Sequence, residues 1–110
     1  METYLEALRS VFEQQAKPEV ALPMAKYMRN QFAFLGLKSP EQKALLRQFL
    51  QGQGQPELAQ LETIVRTLWT WPEREFQYVA LAFLDRQQQH LTPAWMPLLE
   101  DLITTKSWWD

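Results

Sequence analysis

The stretch Pro72-Glu73-Arg74-Glu75-Phe76-Gln77-Tyr78-Val79-Ala80-Leu81-Ala82-Phe83-Leu84 decides the fold. Its apolar residues Phe76, Val79, Ala80, Phe83 and Leu84 recur at spacings of three and four, which places them on one face of an α-helix. The stretch opens on Pro-Glu. Proline suits the first turn of a helix, where its missing N–H has no intrahelical partner to lose. Glutamate favours the positive end of the helix dipole. Glu73, Arg74 and Glu75 together read as dipole complementation with local ion pairing. Trp69 and Trp71, just before them, read as a loop anchor or hydrophobic staple.

The same punctuation recurs along the chain. Pro18-Glu19, Pro40-Glu41 and Pro56-Glu57 are further Pro-Glu pairs, and Thr92-Pro93 is a related site. Each predicts a helix start, with Ser39 and Thr92 as N-caps. Helix one carries Tyr4, Leu5, Leu8, Val11 and Phe12 on one face. Helix four carries Leu58, Leu61, Ile64, Val65 and Leu68, and helix six carries Trp95, Leu98, Leu99, Leu102 and Ile103. Strand alternation and Asn-Gly or Asp-Gly hairpin turns are missing. Gly36 suits a cap or turn after the second helix, and Gln51-Gly52-Gln53-Gly54-Gln55 reads as a flexible linker. The expected fold is all-α, a HEAT-like, ARM-type helical repeat superhelix (α-solenoid) of about six helices, because successive helix pairs come near the ~40-residue period of such repeats. A closed helical bundle is the alternative. The expected organisation is a single partial helical domain covering residues 1–110.

Composition excludes several chemistries. The chain has no cysteine, which removes disulfides, thiolate metal sites and a cysteine nucleophile. That composition fits a reducing cytoplasm, and a cytoplasmic location is expected. His90 is the only histidine, in Gln87-Gln88-Gln89-His90, and reads as a surface residue near a helix end. A metal site needs several converging ligands, so neither a metal nor another cofactor is expected. There is no Gly-rich phosphate loop and no nucleophile elbow. No apolar run approaches the ~18 residues of a membrane span, and no signal peptide is visible. The net charge of −2 argues mildly against nucleic acid. Its distribution says more. From Met24 to Leu50 the chain carries Lys26, Arg29, Lys38, Lys43 and Arg47 against the single acid Glu41. Such a segment is either a solvated helix face or a DNA-facing surface.

The chain closes on Leu102-Ile103-Thr104-Thr105-Lys106-Ser107-Trp108-Trp109-Asp110. Adjacent residues on a helix point about 100° apart. One tryptophan can therefore enter a core while the other reaches a groove, where an indole face stacks on a base or sugar. Ser107 is placed to cap a helix beginning at Trp108. Large aromatics at that point need partners, so more chain is expected beyond Asp110.

This closing run completes a pattern with Met24-Ala25-Lys26-Tyr27-Met28-Arg29-Asn30-Gln31-Phe32, Phe34-Leu35-Gly36-Leu37-Lys38-Ser39-Pro40, Leu68-Trp69 and Pro72-Glu73-Arg74-Glu75-Phe76-Gln77-Tyr78. In these stretches, in their order and spacing, the sequence resembles the DNA alkylation repair family of AlkD-like DNA glycosylases. Lys106-Ser107-Trp108-Trp109-Asp110 is the most specific part. The resemblance implies HEAT-like repeats curved around DNA. It also implies excision of cationic alkylated purines, such as 3-methyladenine and 7-methylguanine, without a metal.

Trp109 matches the first of two active-site tryptophans and is the expected catalytic residue. The family's catalytic aspartate follows in the pattern Trp-Trp-Asp-x-x-Asp. The aspartate, an arginine and the second tryptophan all fall beyond Asp110, so these residues alone are expected to be inactive. Tyr27 matches a tyrosine position of the family near DNA, and Lys38 sits in its Gly-x-x-[ST]-Pro loop. The expected DNA contacts are Tyr27, Arg29, Lys38, Lys43, Arg47 and Lys106, and the expected partner is double-stranded DNA with alkylated bases. One departure is Glu41-Gln42-Lys43, where the family commonly has Glu followed by two arginines. The competing reading is a non-catalytic helical-repeat module that binds protein or DNA. A bare repeat end is also expected to self-associate weakly.

Overall fold

The computed structural model describes residues 2–27 and 33–105. Among the described residues the chain forms α1 (Glu2–Gln14), α2 (Pro18–Tyr27), α3 (Ser39–Gln53), α4 (Leu58–Thr70), α5 (Arg74–Arg86) and α6 (Met96–Thr104). Extended pairing among them is limited to an isolated parallel bridge between Ala33 and Glu73. The fold is all-α, as the apolar periodicity requires.

The prolines mark helix starts in more than one way. Pro18 is the first residue of α2 and Pro40 the second of α3. Pro56 and Pro72 stand one residue before the N-caps Glu57 and Glu73 of α4 and α5. Pro93 opens a short 3-10 turn, Pro93–Trp95, that leads into α6. Ser39 is not an N-cap. Lys38 holds that position in extended backbone, and Ser39 is already helical. The cap is supplied from the other side: the Glu41 carboxylate accepts the Lys38 N–H at 3.1 Å, which is half of a capping box. Thr92 precedes its 3-10 turn but its side chain makes no capping bond. The Gln51–Gln55 stretch is not wholly a linker either. Helix α3 continues through Gln53, and Gly54 ends it at φ 80° with its N–H on the Leu50 carbonyl.

The apolar faces converge on one core. Leu5, Leu8 and Phe12 of α1 pack with Leu46 and Phe49 of α3, while Leu61, Ile64, Val65 and Leu68 of α4 meet Phe76, Val79 and Phe83 of α5. Phe12 and Phe76 lie 5.8 Å apart, and Tyr4 meets Phe49 edge-on at 5.0 Å. Each fully buried side chain of this size contributes about 1.5–3 kcal/mol. Helix α6 adds Leu98 and Leu102 to the core, but Ile103 is 63% exposed, so the apolar face expected of helix six is only partly buried. Leu58 is likewise exposed at the start of α4. Helix α2 buries none of its residues and contains Pro23. Its apolar residues Val20, Ala21, Met24 and Ala25 are only partly covered. His90 is exposed in a 3-10 turn after α5, as expected.

Trp69 is buried and donates its indole N–H to the Thr105 carbonyl at 2.8 Å, tying α4 to the end of α6. Trp71 is the loop anchor. Its ring meets Phe76 edge-on at 4.7 Å, and the Arg9 guanidinium lies 4.6 Å from its centroid. No helix among the described residues is long and apolar enough to cross a membrane.

Candidate nucleic-acid interface

The segment 33–38 leads into α3, and its backbone is satisfied almost residue by residue. The Ala33 carbonyl accepts the Arg74 N–H at 2.8 Å, and the Leu35 carbonyl accepts the Lys17 N–H at 2.7 Å. The Leu37 carbonyl accepts the side-chain amide of buried Gln42 at 2.8 Å. Gly36 adopts φ 94°, and a Cβ there would run into the Lys17 carbonyl and the Ala21 backbone nitrogen. A side chain has no room there, and L-residues resist that φ, so glycine is required.

The three successive N–H groups of this turn converge on one carboxylate. Glu75 Oε2 accepts Leu35 N–H at 3.0 Å, Gly36 N–H at 2.9 Å and Leu37 N–H at 3.1 Å. Its Oε1 shares the Leu35 N–H at 2.9 Å. Glu75 is fully buried. Burying an ion costs several kcal/mol, and hydrogen bonds to a charged group offset this at about 1.5–3 kcal/mol each. Glu75 stands in the first turn of α5, as the dipole reading expects, but its hydrogen bonds go to this distant turn, which the local pattern of Glu73-Arg74-Glu75 does not indicate. Glu73 pairs instead with a distant residue, Arg9 of α1, at 3.4 Å. Arg74 is also fully buried, with its guanidinium 5.4 Å from the Tyr78 ring.

Beside this turn lies an open groove of about 700 Å³. Met24 and Tyr27 of α2 form one side, and Phe34, Lys38 and Ser39 form the turn side. Gln42 and Lys43 of α3 face Tyr78, Leu81, Ala82 and Asp85 of α5. A narrower cleft of about 100 Å³ continues between Leu46 and Val79. The walls are mostly apolar and aromatic, with two lysines and one aspartate. The acid of the basic segment, Glu41, is engaged elsewhere. Its carboxylate pairs with the Lys17 ammonium and also accepts the Lys38 N–H. The Lys17 bond, then the Lys38 N–H, hold its pKa below the ordinary value of 4.5.

Of the expected DNA contacts, the fold brings Tyr27, Lys38 and Lys43 to this one groove. Tyr27 is 81% exposed, so its ring is open to a ligand. Arg47 is exposed one turn further along α3 and does not line the groove. Arg29, Lys106 and Trp109 lie outside the described residues. Sequence reasoning missed Tyr78 and Asp85 on the facing wall. Their spacing from Leu81 and Ala82 marks a second α5 face opposite the apolar stripe, which is the signal that was available.

The family model described as DNA alkylation repair enzyme matches residues 8–110. The chain is also similar to a solved structure named "Predicted DNA alkylation repair enzyme from Enterococcus faecalis", with 30% sequence identity and a TM-score of 0.77. That match covers 86% of this chain and 45% of the other, so the chain spans less than half of the enterococcal protein. No curated protein matches. With the family model matching nearly the whole sequence, and the described helices following a structure of that name, the chain belongs to the DNA alkylation repair enzyme family.

Proposed function

We propose that the protein carrying this chain is a DNA glycosylase that removes cationic alkylated purines, such as 3-methyladenine and 7-methylguanine, from duplex DNA. In this reading residues 1–110 are the first part of a HEAT-like helical domain, and the groove between α2, α3 and α5 takes the DNA backbone. One observation carries the reading. Lys38 and Lys43 stand in the groove wall, while the single acid of their segment, Glu41, is held by Lys17. The groove thus sets two lysines against one aspartate, Asp85, and this positive balance is available for phosphates, which supply most contacts in such complexes.

The chemistry follows from charge. An alkylated purine already carries a positive charge and leaves readily, and the sugar gains oxocarbenium character as the N-glycosidic bond breaks. A carboxylate beside it lowers the barrier and orients water. An indole face such as that of Trp109 adds cation–π attraction of about 0.5–2 kcal/mol. In the pattern Trp-Trp-Asp-x-x-Asp that carboxylate follows Asp110, so in this reading residues 1–110 contribute DNA contacts and one aromatic wall and do not release the base alone.

The test is incubation with duplex DNA containing 7-methylguanine. A chain that extends through the Trp-Trp-Asp-x-x-Asp aspartate and the later repeats releases free base, and residues 1–110 alone release none. Efficient release by the 110-residue chain, or none by the extended one, contradicts the proposal.

A further inference from the structure

We infer that Glu75 is a positioning residue for the DNA-facing groove, acting through the turn that carries Lys38. The inference rests on the reading of the groove as a phosphate-binding surface. A turn that aims successive N–H groups at one point is an anion-binding concavity. Here the anion is internal. The Glu75 carboxylate, brought from α5, takes the Leu35, Gly36 and Leu37 N–H groups at 2.9–3.1 Å. These amides are thus closed to DNA, and the turn can meet a phosphate only through its side chains, of which Lys38 is the cation.

A buried ionic contact is weak evidence for stability, and fixing register is its best-attested use. The register fixed here is that of two groove walls. Phe34 and Lys38 flank the clamped residues on one wall. Tyr78, one turn beyond Glu75 on α5, lines the other. The carboxylate has the acceptor capacity this turn needs. Glutamine has one acceptor oxygen, and its NH2 faces N–H donors instead. Glu75→Gln therefore releases the turn while keeping size and shape.

The experiment measures binding of a fluorescently labelled 20-base-pair duplex from 50 to 200 mM salt. The proteins are the wild-type chain, Glu75→Gln, Lys38→Ala and the double variant, each checked for folding by near-ultraviolet circular dichroism. Neutralising one phosphate contributes about 0.9 to the slope of log affinity against log salt. Glu75→Gln is expected to lower that slope by about one, as Lys38→Ala does. The double variant is expected to be no weaker than either alone, since coupled residues are non-additive. A role in stability alone leaves the slope unchanged. Glu75→Asp, which keeps the charge and withdraws it by one methylene, is expected to show the same loss.

Folded Glu75 variants with the wild-type slope, or with effects that add to Lys38→Ala, overturn the inference and leave the groove reading standing. Failure of both Glu75 variants to fold also overturns it, because the residue then serves folding. A wild-type chain without salt-dependent binding overturns the groove reading and this inference together.

Discussion

Glu75, at the start of α5, accepts the backbone N–H of Gly36 at 2.9 Å across 39 residues of sequence. The two residues depend on each other. Only glycine holds φ 94° against the Lys17 carbonyl, and in that backbone its N–H meets the carboxylate. The turn before α3 is consequently a junction of α2, α3 and α5, and the groove is built around it.

Gly36→Ala is expected to destabilise the chain by more than the ~1–3 kcal/mol of an unfavourable backbone conformation, because a Cβ there also meets the backbone of Lys17 and lies 2.9 Å from the Ala21 nitrogen. Gly54→Ala isolates the backbone part: φ is 80° and no atom lies within 4 Å of the added Cβ. Urea unfolding of both variants checks the difference. Equal losses contradict the account.

Acid is expected to act through Glu41. Its pKa is held below 4.5 by the Lys17 ammonium and the Lys38 N–H, so the folded chain binds fewer protons there than the unfolded chain. Its stabilisation is present above the ordinary value and is lost as pH falls through the depressed one. In urea unfolding between pH 3 and 6, Glu41→Gln is expected to flatten the lower part of the wild-type profile. An unchanged profile contradicts it.

Alkali is expected to act through Tyr4. Burial pushes its pKa from 10.0 up to about 12, and its hydroxyl donates to the Gly54 carbonyl at 3.0 Å. A raised pKa gives stability that is full below 10 and is lost as pH rises toward 12. Tyr4→Phe is expected to cost about 1 kcal/mol at neutral pH and to remove this part of the alkaline loss. A Tyr4 absorbance titration centred near 10 contradicts it.

Core truncation separates packing from the polar junction. Phe83→Ala removes a fully buried ring that meets Tyr4 at 6.4 Å, and is expected to cost about 3–5 kcal/mol. A loss below 1 kcal/mol in urea unfolding contradicts the burial described for α5.

Much of this was legible in the sequence, for physical reasons that differ by residue. Phe76, Val79, Ala80, Phe83 and Leu84 recur with the helical period, and all are buried. The prolines locate helix starts within a few residues, because a residue without an N–H loses nothing there. Tyr27, Lys38 and Lys43 come together because they flank one turn. The partners of Glu75 were not legible because they lie 38–40 residues away, and local pattern reports only neighbours. Ser39 was misread as a cap because the helix begins one residue earlier than its pattern suggests: Lys38 is the N-cap, and Glu41 reaches back to its N–H. Arg47 shares the charge of Lys43 but not its place, since charge runs carry no information on which side faces a groove.

Equilibrium binding of an undamaged labelled duplex decides whether the groove walled by Lys38 and Lys43 holds DNA, as proposed. The wild-type chain is expected to bind with strong salt dependence. Lys38→Ala/Lys43→Ala is expected to lower the salt slope by about 1.8, two phosphates at ~0.9 each, while Arg66→Ala, whose guanidinium is held by Glu62 and Asp101 outside the groove, keeps it. Equal affinity and slope for the wild-type and double-lysine proteins contradict the claim.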